Sequence, residues 1–137
     1  MKIIILTAGQ TRHQFLINYL ASQKNIEIVA CFVEKKLHQS QFLRNKLSPL
    51  QIYHFKNRDI KEKLFFGSLI NKNKKYNFKI NYIKPYSINS KKIYNFIKKN
   101  NSDYVISFGC TIIGSRILNL KNRNFVNIHL GLSPYYL

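Results

Sequence analysis

Apolar residues fall along the chain in two textures that alternate. Runs rich in β-branched and aromatic residues cover residues 2–7 (KIIILT), 26–33 (IEIVACFV), 78–83, 104–108 and 125–128 and read as strands, the first a continuous apolar run of the form taken by a central parallel strand buried on both faces. Between them, apolar residues recur at helical spacing. Over residues 12–24, Phe15, Leu16, Tyr19 and Leu20 share one side and Gln14, Asn18 and Gln23 the other. A weaker helix is predicted over 34–47, ending before Ser48-Pro49 because the residue preceding a proline avoids the helical region. A short extended piece follows at 50–55. Asp59 then caps a further helix, with Glu62 completing a capping box and Ile60, Leu64, Phe65 and Leu69 forming an apolar side. Residues 71–75 (NKNKK) read as a solvated loop. The helix over 90–99 turns Ile93, Phe96 and Ile97 inward and Lys91, Lys92, Lys98 and Lys99 outward, and residues 115–120 make one short helical pass. This strand–helix alternation predicts an α/β fold: a Rossmann-like open, mostly parallel sheet with helices on both faces and right-handed crossovers.

A chain of 137 residues holds one ordinary core, so residues 1–137 are read as a single domain. Its 45% hydrophobic content excludes a disordered chain, and no apolar run approaches the ~20 residues of a membrane span. The opening apolar run is too short for a signal-peptide core, which predicts a cytoplasmic protein without a membrane partner. A net charge of +18 raises the possibility of a nucleic-acid surface. The lysines are scattered among many Asn and Ile residues, however, the mixture that AT-rich codons produce, and arginine is scarce. Cys31 and Cys110 show no metal-ligand spacing and read as two reduced thiols, with no metal expected.

The chain is organised around residues 125–136 (FVNIHLGLSPYY). They read as a buried strand delivering Asn127 and His129 to its carboxyl end, the ligand edge of an open parallel sheet, followed by a loop of Gly131, Leu132, Ser133 and Pro134. Two residues apart on a strand, Asn127 and His129 share a face. An amide donor beside an imidazole suits a reaction in which a carbonyl oxygen gains negative charge while a proton moves. A polar pair at a strand end is also an ordinary hydrogen-bonded terminus, and spacing alone leaves both readings open. The first βα turn, Gly9, Gln10, Thr11 and Arg12, offers a helix N-terminus to an anion, although most such turns bind nothing. Residues 109–113 are apolar for a loop, which either packs down or lines an apolar pocket. No neighbouring base or positive cluster activates Cys110, so it reads as pocket wall.

Asn127-Ile128-His129 followed by Gly131-Leu132-Ser133-Pro134-Tyr135-Tyr136, with Asp103-Tyr104-Val105-Ile106-Ser107-Phe108-Gly109 upstream, resembles the signature of the folate-dependent formyltransferases. That family includes the glycinamide ribonucleotide, methionyl-tRNA and sugar N-formyltransferases. The resemblance implies one-carbon metabolism: a transferase moving a formyl group from N10-formyltetrahydrofolate to an amine. It implies that Asn127 stabilises the oxyanion and His129 stabilises charge or moves the proton. It further implies that Phe108, Gly109, Cys110, Thr111, Ile112 and Ile113, with Gly131, Leu132, Ser133 and Pro134, hold the folate. Gly9, Gln10, Thr11 and Arg12 would hold the acceptor, often through its phosphate. The family usually continues with Arg-Gly after the tyrosine and has its catalytic aspartate further along, whereas here Leu137 is the last residue. The acids present, Glu27, Glu34, Asp59, Glu62 and Asp103, are expected outside the site. The C-terminal strands are therefore expected to be missing and the chain as it stands to lack appreciable activity. A homologue that at most binds folate is the alternative reading, and a basic RNA-binding module a further one. The sequence does not support tRNA as a partner, and it leaves the acceptor amine and the oligomeric state open.

Overall fold

The computed structural model describes residues 1–35, 48–71 and 73–129. In chain order these form β1 (Lys2–Ala8), α1 (Thr11–Leu20), β2 (Glu27–Glu34), α2 (Pro49–Leu69), β3 (Ile80–Ile83), α3 (Lys91–Lys99), β4 (Tyr104–Phe108), α4 (Ser115–Leu118) and β5 (Asn124–Ile128). The five strands make one sheet in the order β3-β2-β1-β4-β5, every neighbouring pair parallel. This is the open α/β, Rossmann-like arrangement that the alternation predicts.

The apolar run of β1 fills both faces because the strand is central. Ile3, Ile4, Ile5 and Leu6 are all fully buried, and each such side chain stabilises the fold by roughly 1.5–3 kcal/mol relative to exposure. Ile3 and Ile5 pack with Ile28 and Cys31 of β2 and Ile17 of α1. Ile4 and Leu6 pack on the other face with Ile93 and Ile97 of α3 and Ile117 of α4. A register shift between Ile3 and Ile4 pairs them with Ile28 and Ala30, so Val29 is the extra residue of a bulge.

Three elements depart from expectation. In α1 the buried residues are His13, Ile17 and Asn18, while Tyr19 is exposed. Asn18 tolerates burial because its amide donates to the Asn71 carbonyl and the Tyr76 hydroxyl, at 3.2 and 3.3 Å. The extended piece expected at 50–55 and the helix start expected at Asp59 give way to one helix beginning at Pro49. Ser48 Oγ accepts from the Gln51 N–H at 3.3 Å and the Gln51 side chain accepts from the Ser48 N–H at 2.9 Å. Pro49 occupies a first-turn position whose N–H needs no partner. The proline expected to stop one helix therefore starts another; Glu34 ends β2, and residues 36–47 of the helix expected over 34–47 lie outside the described residues. Finally, β5 is expected to be buried but pairs only with β4 in the described sheet, and Val126 and Asn127 are exposed. No described helix is long and apolar enough to cross a membrane.

Candidate functional site

The carboxyl ends of β4 and β5 open into a cleft of about 650 Å³, a size suited to a small molecule. Parallel pairing sets its polar floor: Ser107 stands opposite Asn127, and Phe108 opposite Ile128. The Ser107 hydroxyl donates to Asn127 Oδ1 at 2.9 Å. With its oxygen end engaged, the Asn127 amide keeps its two N–H donors for another group. His129 follows the last residue of β5 and lines the same cleft, as does Arg12 from the first turn of α1.

The opposite wall is the loop after β4. Gly109 turns the chain with φ of +63° and lies so close to His13 that a Cβ there would sit 2.4 Å from His13 Nε2. Cys110, Thr111, Ile112 and Ile113 then line the cleft, Ile112 being 89% exposed. Behind this wall the loop is clamped. Glu34, buried at the carboxyl end of β2, accepts from the Thr111 N–H at 2.8 Å, the Thr111 hydroxyl at 2.5 Å and the Ile88 N–H at 3.1 Å. Asn89 donates to the Ile112 carbonyl at 2.8 Å and accepts from the Gly114 N–H at 2.7 Å. The N–H groups of Ile112 and Ile113 and the Ile113 carbonyl take no partner among the described residues. A peptide edge with both donor and acceptor is thus presented beside apolar side chains.

Among the described residues lining the cleft there is no carboxylate, and its one arginine, Arg12, is ion-paired with Glu62, which also lies 3.6 Å from Arg58 Nε. Burial, and then the nearby charge of Glu34, push the Cys110 thiol from 9.0 up to about 11, which suits an inert wall. No cluster of three or more His, Cys, Asp or Glu places ligands for a metal ion among the described residues.

The residues singled out from sequence separate into three groups. Arg12, residues 108–113, Asn127 and His129 surround this one cleft. Gly9, Gln10 and Thr11 instead border a neighbouring cleft of about 330 Å³ together with Gln14, Asp59, Glu62 and Lys63, its two carboxylates paired with Arg58 and Arg12. Gly131, Leu132, Ser133 and Pro134 lie outside the described residues. Glu34, expected outside the site, holds the cleft wall from behind. Ser107 and Glu34 carry a shared signal: each is the polar exception at or near the carboxyl end of an apolar strand. The partners that give Glu34 its role are 54 and 77 residues away, a separation no local pattern encodes. Compared with protein-family models, curated proteins and solved structures, the chain matches none.

Proposed function

We propose that the cleft binds a reduced folate and that the chain is formyltransferase-like, built to present N10-formyltetrahydrofolate to an acceptor amine. The Ser107–Asn127 pair carries this reading: it fixes an amide donor at the mouth of an apolar cleft, on the motif that resembles the folate-dependent formyltransferases. The partnerless backbone groups of Ile112 and Ile113 fit the group, because a folate's aminopyrimidinone ring presents complementary donors and acceptors on one edge. The bound folate supplies the formyl carbon. As an amine adds to that carbon, negative charge develops on the formyl oxygen, where the Asn127 N–H donors act; fixed donors of this type are worth on the order of 100-fold in rate. His129 takes or returns the proton that the amine must lose and the departing folate nitrogen must gain.

Isothermal titration with 5-formyltetrahydrofolate, a non-transferring analogue, tests the binding claim. Saturable heat from the wild type, lost or strongly reduced in Asn127→Ala and His129→Ala, is expected. No heat at millimolar ligand would remove the reading.

A second reading, binding without transfer, is favoured by one observation: among the described residues lining the cleft there is no carboxylate to share in the proton transfer. Release of tetrahydrofolate from N10-formyltetrahydrofolate, assayed with glycinamide ribonucleotide, amino-sugar nucleotides and charged initiator tRNA, separates the two. Turnover that disappears in His129→Ala establishes transfer; binding without turnover establishes the second reading.

A further inference from the structure

α2 has 21 residues, about 30 Å at ~1.5 Å per residue, yet none of its described side chains is buried. It is held to α1 by Phe66 against Phe15, ring centroids 5.3 Å apart, and by the Arg12–Glu62 ion pair. The face turned away is apolar. Leu50, Tyr53, Ile60 and Leu64 are 75%, 65%, 55% and 73% exposed. Together with Asn57 and Gly67 they occupy positions 50, 53, 57, 60, 64 and 67, the alternating steps of three and four that define the a and d seam of a heptad. At about 100° per residue the seam lies roughly opposite Glu62 and Phe66. A Cβ at Gly67 would meet nothing within 4 Å. Asn57 sits at a central a position, where a polar side chain sets the register of a helix pair.

The flanks of the seam identify its occupant. His54 and Lys61 border it on one side and Lys56 and Lys63 on the other, all exposed, with no carboxylate at any of these positions. A second copy of this helix would set lysine against lysine in either orientation, whereas glutamate or aspartate flanks would meet opposite charge. The apolar seam is interrupted by Asn57 at its middle and meets lysine on both edges over residues 54–63, unlike the continuous apolar face a helix sinks into a lipid surface; Phe65 and Leu69, also exposed, lie beyond the His54 and Lys61 edge. We propose that the outward face of α2 docks an amphipathic helix of a partner protein, its apolar seam against Leu50, Tyr53, Ile60 and Leu64 and its acidic flanks against Lys56, Lys61 and Lys63. This surface is independent of the folate reading, since none of these residues lines that cleft.

The test uses the full 137-residue chain and fluorescence anisotropy of designed helical peptides at about 150 mM salt. One peptide carries leucine and isoleucine at a and d, asparagine at one a, and glutamate at e and g. A second has lysine at e and g. A third has the first one's composition scrambled to destroy the heptad. The glutamate heptad is expected to bind at least about tenfold more tightly than either control. Leu64→Lys and Ile60→Lys are expected to weaken it by at least about tenfold without lowering the melting temperature, because both positions are exposed. Equal binding of the scrambled acidic peptide would overturn the proposal in favour of generic charge attraction. A wild-type dimer in sedimentation that Leu64→Lys dissolves would assign the face to a second copy. Capture on phosphatidylglycerol vesicles that requires Leu64 would assign it to lipid. Unchanged peptide affinity in Leu64→Lys would refute the surface itself.

Discussion

At the scale of single residues, the cleft depends on one atom that is not there. Gly109 has φ of +63°, which costs an L side chain about 1–2 kcal/mol, and a Cβ would stand 2.4 Å from His13 Nε2. His13 cannot swing aside. It is fully buried, its Nδ1 accepts from the Gln10 N–H at 3.1 Å, and its ring lies in an edge contact with Phe108, centroids 4.5 Å apart. Gly109→Ala is therefore expected to lower the melting temperature by about 5 °C or more, followed by circular dichroism. Gly67→Ala, in a helix interior with open space around it, is expected to raise it slightly, by up to about 1 kcal/mol of stability. Equal effects from the two substitutions would show that the approach of the loop to His13 is not a constraint.

At the scale of elements, the loop between β4 and α4 is a wall only because β2 and the segment before α3 hold it. Glu34 supplies the charged part of that clamp, and its negative charge is the second cause, after burial, of the raised Cys110 thiol. Glu34→Gln removes the charge and puts an N–H₂ or a single oxygen where two backbone donors need acceptors. Cys110 is then expected to ionise at lower pH and to be reached more easily, so the pH–rate profile of its alkylation by iodoacetamide shifts to lower pH. Cys31, buried and pushed up to about 12 by burial, serves as the internal control. A profile identical to the wild type would mean that Glu34 neither holds the loop nor acts on the thiol. Sequence and structure diverge along the same lines. Tyr104–Phe108 and the inward Ile93 and Ile97 of α3 are legible because burial on a strand or a helix face is written in local periodicity. The start of α2 is misread because Pro49 marks a boundary without saying which side is helical; Ser48 with Gln51 decides it. Asn127 and His129 are legible as a motif, and their convergence with Arg12 follows from the parallel topology. The clamp is not legible, because it joins groups 23, 25, 54 and 77 residues apart.

At the scale of the whole molecule, the decisive quantity is an excess of positive charge that nothing inside the chain neutralises. Lysine and arginine number 23 and acids 5, giving +18. The acids are already engaged: Glu27 with Lys2, Glu34 with Thr111, Asp59 with Arg58, Glu62 with Arg12, and Asp103 with the Lys2 N–H. Among the described residues, two groups of exposed lysines lie on opposite sides of the sheet. Lys91, Lys92, Lys98 and Lys99 are exposed on α3, and Lys56, Lys61 and Lys63 on α2, which packs on α1. Lysines spread in this way neutralise phosphates without reading base edges. Binding of single-stranded RNA is therefore expected to be generic, with poly(U), poly(A) and heparin comparable in affinity. That affinity is expected to fall on the order of a hundredfold between about 50 and 200 mM salt, as counterion release by four or more phosphate contacts requires. Filter binding across a salt series measures both properties. A complex that selects one sequence and survives about 200 mM salt would show that some of these cations form a built recognition surface, and lysine-to-glutamine substitutions made separately on α2 and α3 would then locate it on one side of the sheet.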